Sequence, residues 1–142
     1  VSAYYRQLTG EDELARMRAA EAWSLWEGRT STLTLNKQLA ASFAEPYSAL
    51  AMARIECHYF VHDSFMEENQ LLRNADRLSD VPVWIVHGRY DCVCPVDQAF
   101  ALAQAVPHAQ LHILDATGHS AFEPATLSAL VVATDEFAAS NS

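Results

Sequence analysis

Two residues of this 142-residue chain could share a proton, Asp91 and His119. Each follows a short apolar, β-branched run. Val81-Pro82-Val83-Trp84-Ile85-Val86 leads through His87-Gly88-Arg89-Tyr90 to Asp91. Leu111-His112-Ile113-Leu114 leads through Asp115-Ala116-Thr117-Gly118 to His119-Ser120. Such runs suit parallel strands, and ligands gather beyond the carboxyl ends of parallel strands. Both loops would then open on one edge of a sheet. A carboxylate placed there beside an imidazole fixes its tautomer and stabilises the imidazolium formed when the base takes a proton. Gly88 and Gly118 let the backbone turn sharply enough for these side chains to face the site. Taken singly, Asp91 could cap a helix starting near Pro95, and His119 could be an ordinary loop residue. Together, each after its own strand, they point to catalysis.

Two further carboxylates stand in apolar company. Glu27 follows Trp23 by four positions, a spacing that puts both on one helix face, and Trp26 adjoins it. Glu56 lies four after Met52 and four before Phe60, within an otherwise apolar stripe. A carboxylate in such a place is costly unless paired. Its partner would be Arg54, Arg73 or Lys37, or else the ammonium group of a ligand. The aromatic set Trp23, Trp26, Tyr59 and Phe60 suits a core, or in part a pocket wall.

Other reactive residues carry less. His58 and His62 have the i, i+4 spacing that can hold zinc, but the Glu of a metalloprotease helix does not follow His58 and no clear third ligand exists. Three cysteines, Cys57, Cys92 and Cys94, are an odd number, and two of them are only two apart. That is no disulfide framework and a poor zinc site. Reduced thiols in a cytoplasm are expected, and neither metal nor cofactor is.

The elements that must hold these residues fall into two unlike stretches. Residues 1–74 read as helical. Glu11 to Trp26 carries apolar residues at helical spacing, with acidic residues opening it and Gly28 closing it. Ser31 to Leu35 is short and β-branched, and fits no single state. A second helix starts near Glu45-Pro46, since proline suits the first helical position, and runs to about Phe65. Asn69 to Leu78 is helix or loop. Residues 75–142 alternate strand, helix, strand, helix: the run ending at Val86, Asp97 to Ala105, Leu111 to Leu114, and Phe122 to Phe137. That order implies an α/β fold with parallel strands and right-handed crossovers. Two strands are too few for a free-standing sheet, so neighbours from outside this sequence are expected.

Composition narrows the class. The chain is 51% hydrophobic with only 4 Gly and 5 Pro, which is neither disordered nor fibrous. No run of 18 apolar residues exists, so no membrane span is expected, and the first residues lack a signal pattern. With 18 acidic against 9 basic residues the net charge is −9, the wrong sign for a nucleic-acid binder. Such charge serves solubility, and it also attracts cations, including the amino end of a peptide.

The segments around Asp91 and His119 resemble the acid and histidine segments of α/β-hydrolases, whose chain order is Ser, acid, His. More specifically, Trp23-Ser24-Leu25-Trp26-Glu27-Gly28, Ala53-Arg54-Ile55-Glu56-Cys57-His58-Tyr59-Phe60 and Gln70-Leu71-Leu72-Arg73-Asn74 are similar to the cap region of proline iminopeptidases. The resemblance extends from about Trp23 to Phe137. It implies that residues 1–74 are a helical cap region and residues 75–142 the C-terminal part of an α/β-hydrolase core. It implies Asp91 and His119 as acid and base of a serine triad, and Glu27 and Glu56 as the cap glutamates that hold the free amine of an N-terminal proline. Cys94, three after the acid, would lie near the active site and could confer sensitivity to thiol reagents.

The same resemblance marks what is missing. The nucleophile belongs in a Gly-x-Ser-x-Gly elbow upstream of the cap, and Ser24, Ser42, Ser48, Ser64 and Ser120 lack elbow glycines. The oxyanion-hole segment is missing too. The expectation is therefore the C-terminal half of a longer enzyme, inactive alone, whose partners are its N-terminal half and peptides with a free N-terminal proline. An esterase-like α/β-hydrolase and a non-catalytic partial domain are the competing readings.

Overall fold

The structure, a computed structural model, describes residues 1–140. It divides into two compact units. One comprises Val1–Arg29 with Leu35–Glu68, the other Thr30–Thr34 with the chain from Asn69 onward.

The first unit is helical: α1 (Ser2–Thr9), α2 (Glu13–Thr30), α3 (Lys37–Phe43) and α4 (Pro46–Val61). Side chains start these helices where the sequence offers caps. Asp12 accepts from Ala15 N at 3.0 Å, and Asn36 accepts from Gln38 N and Leu39 N. Glu45 accepts from Ser48 N at 2.8 Å, ahead of Pro46 in the first turn of α4. Such caps satisfy the unpaired amides of a helix start. The Ser48 backbone amide, then the Ser48 hydroxyl, holds the Glu45 carboxyl below its ordinary pKa.

Gly28 does not close α2, contrary to the sequence expectation; the helix runs on to Thr30. A Cβ at Gly28 would lie 3.0 Å from Ala40 Cα and 3.3 Å from the Phe43 side chain. This glycine marks close helix packing, where its missing side chain matters more than its backbone freedom. The core is built from small residues. Ala49, Ala53 and Cys57, four apart on α4, are buried with Leu8, Ala19 and Ala20, and flanked by Tyr4, Tyr5, Trp23 and Leu50. Burial pushes the Cys57 thiol up, which keeps it protonated and unreactive. Helix α4 stops at Val61, short of the expected Phe65. Asp63, Ser64 and Phe65 follow with φ of 49°, 53° and 56°, a left-handed turn that costs L-residues energy. The Phe65 ring stacks on His62 at 5.2 Å and meets His58 and Tyr59, which offsets that cost.

The second unit holds α5 (Gln70–Arg73), a 3-10 turn (Ala75–Leu78), β1 (Trp84–Gly88), α6 (Asp97–Ala105), β2 (Gln110–Leu114) and α7 (Pro124–Ser140). The strands pair in parallel, with Trp84 opposite Gln110 and Gly88 opposite Leu114. β1 starts two residues after Pro82, which has no N–H to give a ladder. Helices α6 and α7 each pack against both strands, and Trp84 meets Phe137 edge-on while donating to Glu136. The apolar strand sequences predict full burial, yet most strand residues are only half-buried. Among the described residues the sheet has two strands, so neither strand is flanked on both sides.

Candidate active site

Asp91 and His119 meet at the carboxyl ends of β1 and β2. Asp91 is 8% exposed, and its Oδ2 accepts from His119 Nδ1 at 2.9 Å. With the Nδ1 proton committed to the carboxylate, Nε2 is the basic nitrogen of the neutral ring. The other carboxylate oxygen, Oδ1, accepts from Val93 N at 2.9 Å and Cys94 N at 2.8 Å. Asp91 therefore caps no helix, contrary to one of its two sequence readings: α6 starts at Asp97 with Val96 before it and no side-chain cap, and the Oδ1 bonds instead close the loop that follows β1.

Three residues that sequence reasoning missed complete this arrangement. His87 Nε2 donates to Cys94 O at 2.9 Å, since a carbonyl can only accept, and lies 3.5 Å from Asp91 Oδ2. Ser31 O accepts from both His119 N and Ser120 N, at 3.1 and 2.7 Å. Glu123 Oε1 accepts from Gly118 N at 2.7 Å, and its Oε2 reaches Leu33 N at 3.4 Å. The loop that carries His119, here the base loop after its imidazole, is thus tied to the Thr30–Thr34 segment. His87 stands in the acid motif itself and Glu123 directly precedes a helix-starting proline, so both carried a faint sequence signal. Ser31 carried none, because a backbone carbonyl has no sequence signature.

The two loops touch. A Cβ on Gly88 would sit 2.0 Å from Gly118 O and 2.6 Å from Thr117 O. No side chain fits there, which makes glycine a requirement of the loop crossing. Tyr90 N donates to Thr117 O at 3.0 Å, and Arg89 Nε bridges to Asp115 at 2.8 Å on the exposed rim. The Cys94 backbone bonds to Asp91 and to His87, and Cys94, like Cys92, is exposed and not in a disulfide.

The sequence-predicted carboxylates Glu27 and Glu56 stand in the first unit. Glu27, near the end of α2, is 9% exposed. Glu56, half-buried on α4, accepts from Trp23 Nε1 at 2.6 Å, so its protein partner is an indole rather than Arg54, Arg73 or Lys37. His58 and His62 pack with Tyr5 and Phe65 as an aromatic group. Among the described residues no cluster of three or more His, Cys, Asp or Glu is placed to hold a metal ion, and no helix is long and apolar enough to cross a membrane.

A small parallel sheet with helices packed on it, and an acid and a histidine meeting beyond its strand ends, defines the class: a partial α/β protein with a carboxylate–imidazole pair. No protein-family model matches the chain. Curated relatives do. It is 55% identical over 138 residues to a proline iminopeptidase of Xylella fastidiosa, across 96% of this chain and 44% of that protein. It is 54% identical over 139 residues to a proline iminopeptidase of Xanthomonas citri, and 39% identical over 140 residues to one of Arabidopsis thaliana. Over nearly its whole length, then, the chain is homologous to the C-terminal portion of proline iminopeptidases, and it spans less than half the length of these relatives.

Proposed function

We propose that this chain supplies the acid, the base and the amine-reading carboxylates of a serine aminopeptidase of the α/β-hydrolase class, one that releases N-terminal proline from peptides. The observation that carries the reading is the 2.9 Å hydrogen bond from His119 to Asp91 at the strand ends. In this reading residues 1–74 form the helical cap region, and residues 75–142 form a C-terminal part of the hydrolase core. The serine comes from the part of the relatives that this chain does not span. His119 Nε2 takes the proton of that serine as it attacks the carbonyl carbon. The same nitrogen then gives the proton to the leaving amine. Asp91 keeps Nδ1 protonated and stabilises the imidazolium between the two steps. Glu27 and Glu56 bind the ammonium of the proline ring, so blocked or internal peptides leave a carboxylate without its partner and are rejected. The exposed cysteines Cys92 and Cys94, neither of them in a disulfide, support a reducing, cytoplasmic setting.

Joining the chain to the N-terminal portion of the Xylella fastidiosa relative tests this. The joined protein should hydrolyse a proline aryl-amide, and the 142-residue chain alone should not. Turnover by the chain alone would overturn the reading, as would turnover by the joined protein that survives His119→Ala. In the same protein Glu56→Gln should impair unblocked substrates most. An unchanged kcat/KM would count against its amine-binding role.

A further inference from the structure

We infer that Trp23 is the positioning residue that keeps Glu56 ready for an ammonium ligand, an inference that rests on the amine-reading role proposed for Glu56. Trp23 on α2 and Glu56 on α4 belong to the same unit, and the indole Nε1–H donates to Glu56 Oε2 at 2.6 Å. A bond this short to a carboxylate is charge-assisted and fixes one oxygen in direction. The donor itself is neutral and has no second role, because an indole nitrogen can only donate. It orients the carboxylate without cancelling its charge. Arginine or lysine in that place would neutralise the group and close it to a ligand cation. Among the described residues Glu56 forms no ion pair, and both Glu56 and Trp23 are half-buried.

The indole is itself held. Tyr4 meets it edge-on with ring centroids 5.3 Å apart, and Phe60 lies tilted at 6.2 Å. Glu56 and Phe60 are one helical turn apart on α4. The result is an oriented, still-charged carboxylate beside aromatic surface, the chemistry that suits a secondary ammonium carried on an apolar ring. A ligand ammonium drawing on the same carboxylate shares its charge with the Trp23 bond. Occupancy should therefore be legible at the indole proton.

Nitrogen-15 NMR of the 142-residue chain, titrated with L-prolinamide, reads this directly. The Trp23 Nε1–H cross-peak should move saturably with L-prolinamide and stay still with N-acetylprolinamide. Trp23→Phe, which keeps an aromatic ring and loses the donor, should bind L-prolinamide about tenfold more weakly. A stationary Trp23 cross-peak while α4 signals shift would overturn the inference; so would a Trp23→Phe chain that binds as tightly as the native one. If Trp23→Phe loses its fold by circular dichroism, the cross-peak of the native chain alone decides. Glu56→Gln separates the two claims. If it binds L-prolinamide like the native chain, the amine-reading role falls and this inference with it. If Glu56→Gln weakens binding and a folded Trp23→Phe does not, Trp23 alone is overturned.

Discussion

The two units of this chain are held by different physics. In the first, helices approach closely over alanines, Cys57 and Leu8, with Ser24 and Glu27 as buried polar residues of α2 beside them. In the second, the buried set includes Asp91, Thr117, Ser120 and Thr126 beside Ala75, Ala99, Val106 and Ala133. There the order around the strand ends comes from hydrogen bonds: Asp91 to two backbone amides and His119, Ser31 to two amides of the base loop, Glu123 to Gly118. Both units leave apolar surface exposed: in the first, Trp26, Tyr47, Ile55 and Phe60 are about half exposed or more. On α7, Leu127, Val131, Val132 and Phe137 are about half exposed. The contrast lies in what orders each unit: mainly apolar contact between close helices in the first, and hydrogen bonds that present two side chains at the strand ends in the second.

Four changes would break or sharpen that contrast. The largest effect belongs to Asp91→Asn. The amide oxygen can keep the Val93 and Cys94 amides, so the loop should survive. Its NH2 group, however, would face His119 Nδ1–H, donor against donor, and the imidazole would switch tautomer. Turnover by the joined protein should fall roughly 10³–10⁴-fold while its melting temperature changes little. A comparable loss of both would show the pair to be structural.

Gly88→Ala comes next. Its Cβ has only backbone to meet, at 2.0 Å, so the loops must part, at a cost of several kcal/mol, roughly 3 or more. Thermal unfolding should register this, and the His119–Asp91 bond should be lost with it. Native-like stability would mean that the loops do not cross as described. Leu8→Ala probes the other unit. Leu8 is fully buried, and the truncation should cost about 2–5 kcal/mol. The His119 ring signals should stay unchanged, because the base loop draws on other contacts. If they shift as much as with Gly88→Ala, the two units do not behave separately.

The smallest effect is Glu45→Gln at the start of α4. The Glu45 pKa is lowered in the folded chain by Ser48. The charged carboxylate therefore adds stability above its unfolded pKa, and that advantage disappears as pH falls through the lower folded value. The native chain should melt slightly higher than Glu45→Gln near neutral pH and no higher in acid. A difference that persisted unchanged in acid would remove charge from the explanation.

Much of this was legible in the sequence, for identifiable reasons. β-branched runs with glycine after them marked both strands, and Asp97–Ala105 falls where the helical pattern put it. Asp91 and His119 were found because strand-end loops converge. What escaped were effects with no local signature. Gly28 looks like a helix stop, but it serves a neighbouring helix through the side chain it lacks. The left-handed turn at Asp63–Phe65 uses no glycine and depends on ring stacking with His62. Glu56 was given three cationic candidates, and its partner is a neutral indole 33 positions away. Ser31 acts through a carbonyl that every residue has.

The proposed function requires that this chain by itself hold Asp91 against Nδ1 of His119. Long-range proton–nitrogen correlation of the His119 ring measures that most directly. A neutral ring protonated at Nδ1, with Nε2 bare, and a switch of tautomer in Asp91→Asn are the predicted result. A native ring protonated at Nε2, indifferent to Asp91→Asn, would contradict it.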